Sequence, residues 1–364
     1  NPDFGAAIKL SATKLYDVTY ASDRAHYDIR TFEQLKNMGE PKYPARQLYS
    51  FEQTMNIESG EIADTTAIPV FNGVFNGKGS HRDLESLETV WPEESYTINI
   101  DMKNDSASGN NLVGLIGRNL ENSVLKNIRL EGGILCTTEN SNYDLTIGAL
   151  TAVNKGTITG CISRADIKIA DNTSSGLGKT CIGGLIGRNE NAGNNKCFLN
   201  GVEADIVCDS TIQVNNGQGM LYLGGFVGYS EPALSTNYVR GRVGAGTRVI
   251  AKNQRNYMGG FAGYTSSPFE ACFFEGEMGK PDRTWAGQFI GYLDIYTVVF
   301  DSCYGWTYGE DMDFIGAKVD QWARPQFNSC YAYGEPFTDG GLSYIKEWNG
   351  EYAGSLGKIY TEAA

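Results

Sequence analysis

Two apolar patterns alternate along the chain. The first is a short run broken by glycine: "LVGLIGRN" at 112–119, "IGALTAVN" at 147–154, "IGGLIGRN" at 182–189, "LGGFVGYS" at 223–230 and "MGGFAGYT" at 258–265, with weaker copies "AGQFIGYL" at 286–293 and "DFIGAKVD" at 313–320. The second follows about ten residues later, as "LKNIRLEG", "ITGCISRAD", "NKCFLNGVEAD", "STNYVRGRV", "EACFFEGEM", "DSCYGWTYG" and "NSCYAYGEP". Three glycines in six residues would each cost roughly 1 kcal/mol in a helix interior, so these runs are strand and turn. The structural repeat glycines are Gly114 and Gly117, Gly184 and Gly187, Gly225 and Gly228, and Gly260 and Gly263. The final glycine of each copy, with Gly291 and Gly316 added and Thr151 in the equivalent place, recurs every 25 to 41 residues. That is the spacing of a solenoid with loops of uneven length.

A third strand follows in the better copies: "ADIKIA" at 165–170, "ADIVCDSTIQV" at 204–214 and "TRVIAKN" at 247–253. Three strands per turn with glycine-rich corners predict an all-β fold, a right-handed parallel β-helix over 46–335, handed as parallel crossovers usually are. Its open ends need covers. In "TFEQLKNMG", Phe32 and Leu35 share a helical face, Thr31 can cap and Gly39 can stop, which predicts a helix over 31–38 plugging the N-terminal end within a 1–45 segment. The period is lost over 336–364, which reads as a cap or tail.

Aligning the second pattern places Cys161, Cys197, Cys272, Cys303 and Cys330 at one position, with Ile128 and Tyr238 in the other two copies. Ile and Tyr replace Cys there, so the position calls for a buried side chain of moderate size, and a ladder of reduced thiols is expected. Cys136, Cys181 and Cys208 lie in or beside other strand-like runs and receive the same reading. No C-x-x-C is present, and with only His26 and His81 no zinc constellation is available.

The repeated "GG[LF]xG" core, paired downstream with "NSCYAYG" and "DSCYGWTYG", resembles the GLUG-motif repeats of bacterial surface proteins. The likeness spans roughly 112–335 and extends upstream through "IRTFEQLKNMG", "QLYSFEQTMNIE" and "PVFNGVFNGKGSHRDLESLE". It implies a cell-surface or secreted protein with an adhesive or structural role, its partner a host or bacterial surface glycan or protein. Fold follows from such repeats more readily than ligand does.

Composition narrows the remaining classes. The 364 residues carry a formal net charge of -13, with 30 basic and 43 acidic side chains, a field that repels polyphosphates and offers no basic stripe to nucleic acid. No apolar run reaches the ~18 residues of a membrane helix. The chain begins at Asn1, from which a removed leader, and hence export, is expected. "GLGKT" at 176–180 imitates a phosphate loop, but the first glycine of that motif should stand at 173, where the chain has Thr173. No nucleotide, cofactor or metal is expected.

Candidate chemistry rests on carboxylates and aromatics. Parallel β-helices host polysaccharide lyases and glycosidases, and Glu275 with Glu277, or Glu310, Asp311 and Asp313, are candidate pairs for that alternative. "GEDMD" at 309–313 lacks the spacing and glycine of a calcium loop. Neither His26 nor His81 sits in a protease or hydrolase motif, and both read as surface or capping residues. The residue after the final motif glycine is Arg118 and Arg188 in early copies, then Tyr229, Tyr264 and Tyr292. Exposed, this row suits sugar rings or a partner protein. Turned against itself it is a stabilising ladder, the preferred reading. A non-catalytic adhesin or glycan- or protein-binding function is expected.

Overall fold

The computed structural model describes residues 17–21, 24–39, 49–62, 66–79, 81–82, 89–90, 94–104, 112–136, 144–169, 179–193, 195–208, 211–214, 220–244, 248–251, 256–279, 284–309, 312–319, 325–336 and 344–351. Among them the chain is built almost entirely of short strands with one helix, Phe32–Asn37. Two large sheets run the length of the repeats. Each new repeat adds strands to both, in parallel and in register with the repeat before. Ile186 pairs with Val227, Val227 with Ala262, and Ala262 with Ile290. No helix of the described residues is long and apolar enough to cross a membrane.

The best copy holds five strands where three were expected: Lys179–Gly183, Ile186–Asn189, Cys197–Phe198, Gly201–Glu203 and Ile206–Cys208. The glycine motif divides one expected strand in two. At its corner the amides of successive repeats remain paired: Leu185 N–H donates to the Phe226 carbonyl, Phe226 to Phe261, Phe261 to Phe289 and Phe289 to Phe314. The chain thus turns without orphaning its backbone. Thr211–Val214 pairs with Arg248–Ala251 in a separate two-stranded ribbon. The expected third strand over 204–214 is therefore split, and its downstream half leaves the main sheet.

Glycine is required at the corner because backbone meets backbone there. A methyl at Gly225 would fall on the carbonyl oxygen of Gly260, and one at Gly228 would lie 2.5 Å from the amide nitrogen of Ile182 in the preceding repeat. The final motif position is held by Gly187, Gly228, Gly263, Gly291 and Gly316 and, in the second copy, by Ala152. Thr151 pairs one place earlier, with Ile116 and Ile186.

In-register stacking sets like on like in the core. Phe226, Phe261, Phe289 and Phe314 stack with centroids 4.9 to 5.0 Å apart, each pair adding about 0.5–1.5 kcal/mol beyond its buried area. Volume is conserved across the interior. Gly184, Gly225 and Gly260 face Val202, Val239 and Phe274, whereas Gln288, next in the glycine column, faces Gly305, next in the other. The side chain enlarges on one wall where it vanishes on the other.

Two corners carry polar ladders. Asn119 donates its amide to Asn154 at 2.7 Å, and Asn154 to Asn189 at 2.8 Å, all three buried. Ser230 and Thr265 continue that column, each donating its hydroxyl to a carbonyl two residues on. At the next corner Asn127, Gly160, Leu199, Thr236, Ala271 and Ser302 all adopt φ between +50° and +64°. One glycine serves six left-handed positions.

The helix begins with a capping box, in which Gln34 N–H donates to Thr31 Oγ1 at 3.2 Å and Thr31 N–H to Gln34 Oε1 at 3.1 Å. Leu35 is fully buried and Phe32 packs on the core, as their shared face predicts. The parallel stack ends in antiparallel strands on both sides. Asp17–Ala21 pairs with Arg24–Ile29, and Tyr344–Glu351 with Gln326–Pro336.

The left-handed corner yields a stability prediction. Leu199 holds φ +58° with 57% of its surface exposed, so it carries the left-handed penalty of about 1–2 kcal/mol with little burial to offset it. Asparagine occupies the same place at 127. Leu199→Asn should raise the urea midpoint by about 1 kcal/mol of stability, and Gly225→Ala should lower it by about 3 kcal/mol. A fall with the first substitution, or neutrality with the second, would contradict this account of the corners.

Candidate binding surfaces

Register defines two aromatic arrays on the outer faces. The first lies against the glycine motif. One column runs Arg118, Val153, Arg188, Tyr229, Tyr264, Tyr292, Ala317, and a facing column runs Thr146, Cys181, Tyr222, Tyr257, Trp285. Together they form a small second core, with Cys181, Tyr222 and Tyr264 buried and Tyr229, Tyr257 and Tyr292 packed against them. Tyr229 stacks on Tyr264 at 4.2 Å and Tyr264 on Tyr292 at 5.8 Å, while Tyr222 meets Tyr264 edge-on at 5.2 Å. The row of Tyr229, Tyr264 and Tyr292 is thus folded against itself and its neighbours.

Polar groups fasten this cluster. Tyr264 donates its hydroxyl to Asp294 at 2.6 Å and Tyr229 to Glu231 at 3.1 Å. Lys179 Nζ lies 4.2 Å from the Tyr229 ring centroid, a cation–π contact at the cluster's N-terminal end. Burial, then the hydrogen bond to Asp294, pushes the Tyr264 phenol well above its usual range, and burial does the same at Tyr222. The phenols remain protonated donors.

The second array follows the left-handed corner. Tyr238, Phe273 and Tyr304 stack with centroids 5.3 and 4.8 Å apart and planes within 16°, all half-buried. Beside them runs a ladder of alternating sign: Glu131, Arg164, Glu203, Arg240, Glu275. Arg164 reaches Glu203 at 2.8 Å and Glu131 at 3.4 Å, and Arg240 reaches Glu275 at 3.1 Å. Tyr238 donates to Glu203 at 2.6 Å. That bond, ahead of the Arg164 contacts, holds the Glu203 carboxyl below its usual range, while burial and Glu203 push the Tyr238 phenol up to about 12. Arg242 clasps Asp205 through Nε at 2.8 Å and Nη2 at 2.6 Å. This face is neutralised from within.

Glu275 and Glu277 stand two places apart on the outward side of strand Phe273–Met278. Glu275 is engaged by Arg240, Glu277 is exposed in register with Arg242, and Asp313 is half-buried. Glu310 and Asp311 lie outside the described residues. His26 and His81 fall on strands Arg24–Ile29 and His81–Arg82, and their side chains lie outside the described set.

The cysteine column differs from its sequence alignment. The corner position is Ile128, Cys161, Asn200, Asn237, Cys272, Cys303, as shown by the Ile162, Gly201, Tyr238, Phe273 and Tyr304 amides, which donate to the preceding repeat's carbonyls at Ile128, Cys161, Asn200, Asn237 and Cys272. Cys330 continues it. Cys197 stands three residues earlier, paired with Ile158, and Tyr238 stands one place later. Asn200 and Asn237 take the corner by bonding along it. Asn237 Oδ1 accepts from the Asn200 backbone and side-chain amides, each at 3.0 Å, and Asn200 Oδ1 accepts from Cys161 N–H at 2.9 Å. The seven described cysteines are buried and free, and the side chain of Cys208 is outside the described set.

Two aromatic columns were not read as columns from the sequence, where Tyr257 and Trp285 stand out only as part of an aromatic-rich C-terminal half, and both had a visible signal. An aromatic follows the Asn/Cys corner directly in "NYV", "CFF" and "CYG", giving Tyr238, Phe273 and Tyr304. Another stands two places before the first motif glycine in "YLGG", "YMGG" and "WAGQ", giving Tyr222, Tyr257 and Trp285.

The thiols make alkaline stability a test of the packing. Burial pushes Cys161, Cys181 and Cys272 up to about 12, above the value near 9 of an exposed thiol. Between those values the unfolded chain loses protons that the folded chain keeps, so this stabilising contribution is complete below pH 9 and is lost as pH rises toward about 12. Urea midpoints should fall between pH 9 and pH 11, and native thiols should resist a thiol reagent at pH 8 that titrates them in denaturant. Rapid native labelling would contradict the buried column.

No family model, no curated protein and no solved structure matches the chain.

Proposed function

We propose that the chain is a right-handed parallel β-helix of the GLUG-repeat kind, secreted or displayed at a bacterial surface, that binds a surface glycan or protein without catalysing a reaction. The observation that carries this reading is the recurrence of outward aromatics in the later repeats: Tyr229, Tyr264 and Tyr292, Tyr257 and Trp285, and Tyr238, Phe273 and Tyr304 occupy fixed register positions on two outer surfaces. Tyr264 is buried within its row, while the other rings are half-buried or exposed, and large rings at regular spacing suit extended, repetitive partners.

The handedness follows the general preference of parallel crossovers. The capping role of Phe32–Asn37 is supported by the complete burial of Leu35, and the antiparallel pairings at both termini are suited to blunting the parallel edges. The charged groups of the second array pair with one another, so a carboxylate acting as base or nucleophile at Glu275 would first have to leave Arg240. That disfavours the alternative of a polysaccharide lyase or glycosidase.

The test is a glycan array run beside immobilised host-matrix proteins, with parallel incubation on soluble polysaccharides. Saturable binding to one class with no change in polymer viscosity is the expected outcome. Depolymerisation would overturn the non-catalytic reading, and silence in both binding formats would reduce the chain to a scaffold.

A further inference from the structure

Within the tyrosine cluster most ring faces are already covered by other rings. Sugars bind aromatic side chains face-on, through the C–H groups of the pyranose, so a covered face offers nothing. Trp285 differs. It follows Cys181, Tyr222 and Tyr257 in register, and Ala286 beside it packs on the main core, so the indole projects to the tyrosine side. It is 44% exposed, whereas Tyr222 in the same column is 6% exposed. Its ring makes no aromatic contact among the described residues.

Among the described residues, the run of aromatics in both columns ends at this level. Strand Trp285–Gly287 is the last of its row and, among the described residues, pairs only with Asn256–Gly259. The facing column continues past Tyr292 to Ala317, which is small and half-buried. An aromatic stack therefore stops in a ledge: an indole on one side, a methyl on the other, and stacked tyrosines behind.

We propose that this ledge, Trp285 with Tyr257 and Tyr292 behind it and Ala317 opposite, is a carbohydrate site that stacks one pyranose ring of a neutral glycan. The pyranose stacks on the exposed part of the indole. Neutrality follows from the net charge of -13 and from Asp294, exposed beside the cluster where it holds the Tyr264 hydroxyl, both of which oppose an acidic sugar. The assignment rests on the binding function proposed above and fixes its ligand class.

Native gels cast with hydroxyethyl cellulose, galactomannan or polygalacturonate test it on the full chain. At least one neutral polymer should retard migration and polygalacturonate should not. Trp285→Ala should weaken the retardation tenfold or more with an unchanged melting curve, Trp285→Phe should keep part of it, and Leu199→Asn, at the left-handed corner, should keep all of it. Ala317→Gln, which fills the ledge, should also weaken it and serves if Trp285→Ala does not fold. Retardation that survives both Trp285→Ala and Ala317→Gln overturns the site while leaving glycan binding in place. Inert neutral polymers with retained binding to matrix proteins overturn the glycan assignment alone, and inertness toward both classes overturns this site and the binding function together.

Discussion

Everything in this chain depends on stacking at one strand spacing, about 4.8 Å, with parallel strands in register. At that spacing a side chain has a fixed neighbour above and below, and that neighbour is its own counterpart in the adjacent repeat. Residues are therefore constrained by column as much as by sequence context. Phenylalanine stacks on phenylalanine from Phe226 to Phe314, asparagine bonds to asparagine from Asn119 to Asn189, and charge alternates from Glu131 to Glu275 because like signs at this distance repel. The glycine motif belongs to the same constraint. Bending the strand at Gly183–Gly184 brings the backbone of one repeat against that of its neighbour, and a side chain there would separate the stack.

Columns also divide the labour between interior and surface. The apolar columns are dry and closely packed, with Leu150 and Leu185 giving way to Phe226, Phe261, Phe289 and Phe314. The outward columns change along the chain from Arg188 and Cys181 to Tyr229, Tyr222 and Trp285. Early repeats present charge and small side chains, and later ones present rings. The surface ion pairs contribute little each, about 0–1 kcal/mol when exposed, and their larger effect is to cancel the field of a face that carries many ionised groups.

How much of this could be read from the sequence depends on whether the cue was local. The glycine motif was legible because backbone contact admits one residue type, and the repeat, the parallel all-β class and the helix from Phe32 to Asn37 followed from spacing and caps. The exact columns were harder. Cys197 aligns by eye with Cys161, yet "NKCFLNG" places its corner three residues later at Asn200, and it takes the backbone register and the Asn200–Asn237 hydrogen bonds to reveal that asparagine substitutes for cysteine there. The left-handed corner was hidden because Leu199, Thr236 and Ala271 are poor indicators of positive φ. Tyr229, Tyr264 and Tyr292 were found as a row, but the packing that covers them comes from Tyr222 and Tyr257, on a strand whose fold-back the glycines cause.

The exchange of volume at Gln288 and Gly305 gives the repeats individual identities. Through Gly184, Gly225 and Gly260 the core has one shape, a bare backbone facing a branched or aromatic side chain, and any of those turns could in principle neighbour another. At Gln288 the shape inverts. A recombination that removed one repeat from the earlier series would rejoin surfaces of the same relief, whereas a join between the halves of the Gln288–Gly305 turn and any other would confront two bulky side chains or leave a hollow between two absent ones. The interior thus distinguishes its last turns from the earlier ones, because the Gln288–Gly305 pair is complementary only to itself.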